Sequence, residues 1–221
     1  MFSSDTRNQD GNGLTGGVRG WLVHLIVLLP LTYVLWLVMN SGVLPDNDYW
    51  NLLSQILQGD GFNLDPKPWL IRGNEHITLF PKLLFALNIW ITSGSNIGLG
   101  LMAVGIVLAQ YGILWSLLPH DVRERKSLAV LSALILSFFL FTPRAAHSWL
   151  YGMSGLTWFT ANLFVVAAIA CMHQHGKKGR ASWWIYAMLL AIAATLSYST
   201  GLVVWPILLI MAVFYPLALR Y

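Results

Sequence analysis

A chain of 221 residues that is 57% apolar and 10% charged, with 11 tryptophans and a mean hydropathy of +0.63, lies far from the roughly 25% charged residues of soluble domains. This composition excludes an ordinary soluble enzyme and predicts an all-α polytopic membrane protein. The formal charge of +4 does not signal nucleic acid, because the cations sit in short loops between apolar runs, where membrane topology puts them. The single cysteine, Cys171, lies inside an apolar run, so it forms no intrachain disulfide and reads as a packed structural thiol.

Residues 1–18 are polar and glycine-rich and read as a disordered cytoplasmic tail. The apolar run at 21–40 has no small-residue cleavage site after it, which makes it an uncleaved anchor, and 19–221 then forms one transmembrane module. Seven runs approach the ~20 residues that a bilayer core requires: 21–40, 77–93, 96–118, 127–142, 150–172, 182–197 and 201–219. If all seven cross, Arg123, Arg125 and Lys126 lie opposite Arg7 and Arg19, as do Lys177, Lys178 and Arg180, against the inward bias of cations. If 77–93, interrupted by Pro81 and Lys82, lies along the interface, every basic loop falls on one face. Nine cations are then inside (Arg7, Arg19, Arg123, Arg125, Lys126, Lys177, Lys178, Arg180, Arg220) and four outside (Lys67, Arg72, Lys82, Arg144). The charge pattern therefore predicts about six transmembrane helices, a cytoplasmic N-terminus, and an external loop 41–95 carrying two juxtamembrane helices.

That loop holds five of the nine acidic residues. Tyr49, Trp50, Leu52, Leu53, Ile56 and Leu57 recur at helical spacing opposite Asn51, Ser54, Gln55 and Gln58, with Gly59 as the stop. The pattern predicts a short helix lying on the membrane surface, and Asp48 just before it suits an N-cap. Asp60 and Asp65 each neighbour Gly or Pro and read as turn residues, while a second surface helix is expected near 81–93. Glu75 stands three residues from Arg72, close enough for a surface ion pair.

With six spans, this loop and the turn PRAAHSWLYGMSG at 143–155 share one external mouth; with seven they lie on opposite faces. Trp149 and Tyr151 are expected to pin the turn at the interface, leaving Arg144 and His147 facing either the mouth or lipid headgroups. His24, inside the first helix, reads as bonded to a neighbouring helix. His173 and His175 fall on the cytoplasmic side, and His120 reads as solvated. The spacing of Gly94, Gly98, Gly100 and Gly105 suggests close helix packing. SYSTGLVVWP at 197–206 reads as an external hairpin or as a lining of the lipid path to the mouth.

One spanning helix, an acidic external loop, two juxtamembrane helices and a return helix ending in a basic loop: this order resembles the amino-terminal module of GT-C fold glycosyltransferases. NEHITLFPKLL at 74–84 and P-x5-W-x2-G at 143–152 resemble a bacterial group of these integral membrane proteins. The resemblance implies inverting transfer of a sugar from a polyprenyl-phosphate or polyprenyl-diphosphate carrier to an acceptor on the non-cytoplasmic face of the bacterial inner membrane. It implies Asp48 as the base and Asp46 as its partner, orienting the acceptor or a divalent cation. Asp46, at the exit of the first helix after Pro45, matches the acidic position about as well as Asp48.

Around the donor the resemblance implies Arg72, Glu75, His76, Lys82, Arg144 and His147. One carboxylate suffices for a single inverting displacement, and an anionic phosphate leaving group needs cations more than a general acid. Arginine suits that task because its planar fork donates two bonds at once. Where the group usually has arginine after the N-E-H histidine, this chain has Ile77. Such enzymes usually carry further helices, so a protein partner that supplies them is expected beside membrane lipids and the lipid-linked sugar. Two other classes stay open: part of a transporter, against which stands the absence of intramembrane acids, and a non-catalytic lipid-binding or scaffold subunit.

Overall fold

The computed structural model describes residues 28–45, 47–59, 61–73 and 76–218, almost all of them helical. In chain order the helices are α1 (Leu28–Met39), α2 (Asn47–Ile56), α3 (Pro66–Leu70), α4 (Leu79–Thr92), α5 (Asn96–Leu117), α6 (His120–Glu124), α7 (Lys126–Leu140), α8 (Ala146–Leu150), α9 (Gly152–Lys178), α10 (Ala181–Thr195) and α11 (Val204–Ala218). Two small antiparallel hairpins interrupt them. β1 (Leu57–Gln58) pairs with β2 (Gly61–Phe62), and β3 (Arg72–Gly73) pairs with β4 (His76–Ile77).

Among the described residues, three stretches are long and apolar enough to cross a membrane: α5 with 22 residues, the run Lys126–Leu150 with 25, and α9 with 27. Large apolar side chains point outward from several helices, among them Trp36, Trp90, Phe139 and Phe214. Contiguous apolar surface of this kind requires an apolar surrounding, as in an all-α integral membrane protein.

The bundle is organised around α5 and α9, which begin side by side. Asn96, at the start of α5, accepts at Oδ1 from the Gly152 N–H at 2.9 Å and donates through Nδ2 to Leu150 O at 2.8 Å. The same amide donates to Ser41 Oγ at 3.1 Å and Gly42 O at 3.0 Å, and the Asn96 N–H donates to Val43 O at 2.9 Å. The exit of α1 and the starts of α5 and α9 therefore meet at one buried carboxamide. Further along, Gln110 Nε2 donates to Phe159 O at 2.7 Å, so the two helices run parallel.

Glycine makes this approach close. A Cβ on Gly152 would stand 2.6 Å from Leu99 Cβ, 2.8 Å from Asn96 O and 2.8 Å from Gly100 N, and one on Gly100 would meet Val38 of α1. Gly98 likewise backs onto Thr92 and Asn88, whereas Gly105 faces open space and Gly94, with φ +79°, follows the left-handed end of α4. Helix packing thus explains Gly98 and Gly100, but not the other two glycines in that spacing.

Parallel α5 and α9 carry their basic flanks to a common end. Arg123, Arg125 and Lys126 follow α5, and Lys177, Lys178 and Arg180 close α9, where Gly179 (φ +63°) donates its N–H to His175 O. At 1.5 Å per residue α9 extends about 40 Å, enough to hold its two ends on opposite sides of a bilayer. The connection to α10 is two residues, so α10 returns antiparallel and brings Leu196 back toward the first half of α9. There the Leu79 N–H donates to Leu196 O at 2.9 Å, starting α4, which ends beside α5 with Asn88 Nδ2 donating to Ser95 O at 3.2 Å. Neither end of α4 reaches the basic loops.

Some local details differ from the sequence reading. α2 ends at Ile56, three residues before Gly59, because Gly59 (φ +57°) turns the β1–β2 hairpin instead of stopping the helix. Asp48 lies inside the first turn of α2 and not at its N-cap; an acidic side chain there suits the positive helix end. Trp149 is fully buried, stacked on Phe141 at 6.3 Å and tilted against Phe159 at 4.5 Å, and so belongs to the core and not to the interface. α9 continues six residues past 172, through the two histidines and into the lysines.

Candidate functional site

At the end of the bundle where α5 and α9 begin, a hollow of about 430 Å³ opens between α2, β4, the first turns of α9 and the segment after α10. Helical periodicity selects its walls. Asp48, Asn51, Leu52 and Gln55 come from one face of α2 at i, i+3, i+4 and i+7, and Met153, Ser154, Thr157 and Trp158 from one face of α9. The opposite, apolar face of α2 is buried through Tyr49, Leu53 and Ile56, with Tyr49 edge-on to Phe85 at 5.4 Å. Part of the polar face, Asp48, Asn51 and Gln55, therefore lines a hollow, while Ser54 and Gln58 stay exposed outside it. His76 and Thr78 enter from the β4–α4 connection, and Tyr198 from the turn after α10. Their rings form a wall: His76 lies 4.3 Å from Tyr198, and Tyr198 6.0 Å from Trp158.

Lys82 is placed behind this wall. Its side chain is fully buried, and Nζ donates to Ile71 O at 2.9 Å, Pro68 O at 3.0 Å and Gln55 Oε1 at 3.0 Å, with Trp69 O at 3.5 Å. Burial draws its pKa below the ordinary lysine range. The ammonium is thus engaged by the protein's own oxygens, which corrects its expected place as a free cation at the mouth. The segment it holds is locked in itself: Asp65 Oδ1 accepts from the Lys67 N–H at 3.0 Å as the cap of α3, and Trp69 Nε1 donates to Asn63 O at 2.8 Å.

Of the residues singled out from the sequence, Asp48 and His76 line the hollow together. Arg144 sits in a 3-10 turn, Pro143–Ala145, and His147 packs on Tyr151 at 4.5 Å; both are exposed, and neither is part of the lining. The turn that carries them reaches the hollow through Met153 and Ser154 instead. Asp46, Glu75, Asp60 and His24 lie outside the described residues, as does the side chain of Arg72. At the far end, His120 is exposed and pairs with Glu124 at 3.4 Å, and His175 Nδ1 stands 3.0 Å from Arg180 O.

Thr78, Thr157 and Trp158 were not singled out as site residues from the sequence, whereas Tyr198 lies in the 197–206 stretch read as an external hairpin or a lining of the lipid path. Thr78 did carry a signal: it caps α4 while Pro81 occupies the third helical position, so one customary partner of a capping hydroxyl lacks its N–H. Thr78 is 4% exposed, and its Oγ1 has no hydrogen-bond partner among the described residues.

Chemically, the described lining offers one carboxylate, one imidazole, two carboxamides, several hydroxyls and aromatic rings, with no lysine or arginine. Apolar walls with a few convergent polar groups are the common form of a small-molecule site. Among the described residues one carboxylate, Asp48, faces the hollow, and no group of three His, Cys, Asp or Glu gathers. Comparison with protein-family models, with curated proteins and with solved structures gives no match for this chain.

Proposed function

We propose that this chain is a GT-C type membrane glycosyltransferase module that transfers a sugar, with inversion, from a polyprenyl-phosphate carrier to an acceptor on the non-cytoplasmic face of a bacterial inner membrane. The observation that carries this reading is Asp48 facing a hollow lined by amides, hydroxyls and three aromatic rings, at the opposite end of α9 from its lysines. In it, Asp48 takes the proton of the acceptor hydroxyl as the bond to the sugar carbon forms and the phosphate departs.

About six crossings fit this reading: α1, α5, the run Lys126–Leu150, α9, α10 and α11, with α4 held on the hollow side. The meeting of the α1 exit with the starts of α5 and α9 supports it, because α1 then runs opposite to both and its start shares a side with the six cations at their far ends, the side that the positive-inside bias assigns to the cytoplasm. With Lys82 engaged elsewhere and His76 lining the hollow beside Asp48, the phosphate in this reading falls to Arg72, Arg144 and His147, which are not part of the described lining; Glu75 and Asp46 keep their expected roles outside the described residues.

The test is sugar transfer by the full chain in proteoliposomes supplied with a panel of polyprenyl-phosphate sugars. Asp48→Asn is expected to lower the rate by about 10²–10⁴ while leaving the unfolding midpoint in place. Unaltered transfer in Asp48→Asn with loss in Asp46→Asn moves the base to Asp46. No transfer by the wild-type chain from any donor removes the enzyme and leaves a lipid-binding subunit.

A further inference from the structure

We infer that Thr78 and Gln55 are a specificity-determining pair for an uncharged, hydroxylated sugar ring in the hollow, with Lys82 as the positioning residue that aims Gln55. The identity of the ligand as a sugar rests on the transfer reading above; the geometry of the pair does not.

A threonine at a helix N-cap ordinarily directs its hydroxyl to the N–H of the second or third helical residue. In α4 the third residue is Pro81, which has no N–H, and Thr78 makes no side-chain cap bond. Two nearby backbone donors are engaged elsewhere, Leu79 N–H with Leu196 O and Lys82 N–H with Thr78 O. The Thr78 hydroxyl is left over, buried, unpartnered among the described residues and part of the lining. A buried hydroxyl without a partner is destabilising, and its persistence points to a partner that arrives from the hollow.

Gln55 complements it. An ammonium group has only donors, so the 3.0 Å contact with Lys82 Nζ fixes the amide oxygen of Gln55 toward the lysine. The amide nitrogen, with two N–H groups, is then the half of Gln55 left for the hollow that the residue lines. Thr78 can both donate and accept, and Gln55 donates, which together read the oxygens of a hydroxylated ring.

The electrostatics select against an anion. The described lining carries the Asp48 carboxylate and no lysine or arginine, and the Lys82 ammonium behind Gln55 has its protons taken by protein oxygens, so a phosphate there meets like charge with only the His76 imidazole to offset it. The His76, Tyr198 and Trp158 rings supply an apolar wall for the carbon face of such a ring. The hollow therefore seats the neutral sugar head and leaves the charged carrier outside it.

The experiment uses the full chain in nanodiscs of phosphatidylcholine, titrated calorimetrically with hexyl glucoside, hexyl galactoside, hexyl mannoside and hexyl phosphate. At least one pyranoside is expected to bind, and hexyl phosphate is expected neither to bind in the hollow nor to displace it. Thr78→Val keeps the volume and removes the orphan hydroxyl. It should weaken pyranoside binding by about tenfold, the loss of one hydrogen bond, with an equal or higher unfolding temperature.

Gln55→Glu keeps the oxygen that Lys82 needs but removes the amide donor, and should weaken binding by about tenfold at an unchanged unfolding temperature. The inference is overturned if no pyranoside binds, if hexyl phosphate binds as tightly as the best pyranoside, if neither variant alters binding, or if Thr78→Val lowers the unfolding temperature. Variant-sensitive pyranoside binding without any sugar transfer sinks the enzymatic reading alone. Transfer with binding indifferent to both variants sinks this inference alone.

Discussion

An ammonium ion out of water is tolerated only when its protons are engaged by good acceptors, and Lys82 meets that condition inside the protein through Gln55, Pro68 and Ile71. Replacing Lys82 by methionine keeps the length of the side chain and strands those three oxygens. We expect Lys82→Met to destabilise the fold by about 2–4 kcal/mol, read as a lowered unfolding midpoint in detergent micelles, together with faster proteolysis across 63–71. An unshifted midpoint would mean that water or a neighbour takes over the acceptors. At this scale sequence reading was weakest. A list of charges near a membrane surface shows which residues can hold a phosphate, but it does not show that four oxygens from α2 and the 68–71 segment already surround one of them. Trp149 misled in the same way: an interfacial tryptophan and a core tryptophan look alike until Phe141 and Phe159 are seen to enclose the ring.

Between elements, the contact of α5 with α9 depends on the missing side chain at Gly152. Gly152→Ala pushes a methyl against Leu99 Cβ and the Asn96 and Gly100 backbone, and should cost about 1–3 kcal/mol as an overpacked site. Gly105→Ala in α5 meets nothing within 4 Å and should be neutral or stabilising by up to about 1 kcal/mol. Thermal unfolding of the two variants side by side measures the difference; equal midpoints would rule out backbone approach at Gly152 as a source of stability. The long helices were legible because apolar runs of this length have few alternatives, whereas the five-residue helices α3, α6 and α8 fall in stretches read as turns and loops. The amphipathic period of α2 was legible too. The medium facing its polar side was not, since periodicity separates polar from apolar without distinguishing open water from a lined cavity. Hairpins with two-residue strands, such as β3–β4, leave no periodic trace at all.

For the molecule as a whole, the disposition of charge gives a direct check on orientation. In a Cys171→Ser background, single cysteines at Leu64, which is 95% exposed on the hollow side, and at Arg180, at the basic end, should label differently. A membrane-impermeant maleimide added to intact cells is expected to modify Leu64→Cys at once and Arg180→Cys only after lysis. Labelling of both from the same side would remove the six-crossing arrangement. The grouping of basic loops was visible in the sequence because it follows from counting crossings. The gathering of Asp48 with Thr157, Trp158 and Tyr198 was not, because it depends on how far α10 returns along α9, and nothing local in SYSTGLVVWP encodes that depth.

The carboxamide of Asn96 also bears on the order in which the chain can assemble. Its acceptors at Ser41 and Gly42 stand 55 and 54 residues upstream, and its contacts with Leu150 and Gly152 stand 54 and 56 residues downstream. A nascent polypeptide that has not yet delivered its second half to the membrane can form only part of this junction. The junction then stays incomplete until Leu150 and Gly152 arrive, and the cavity that borders it takes shape only after α9 has begun to insert.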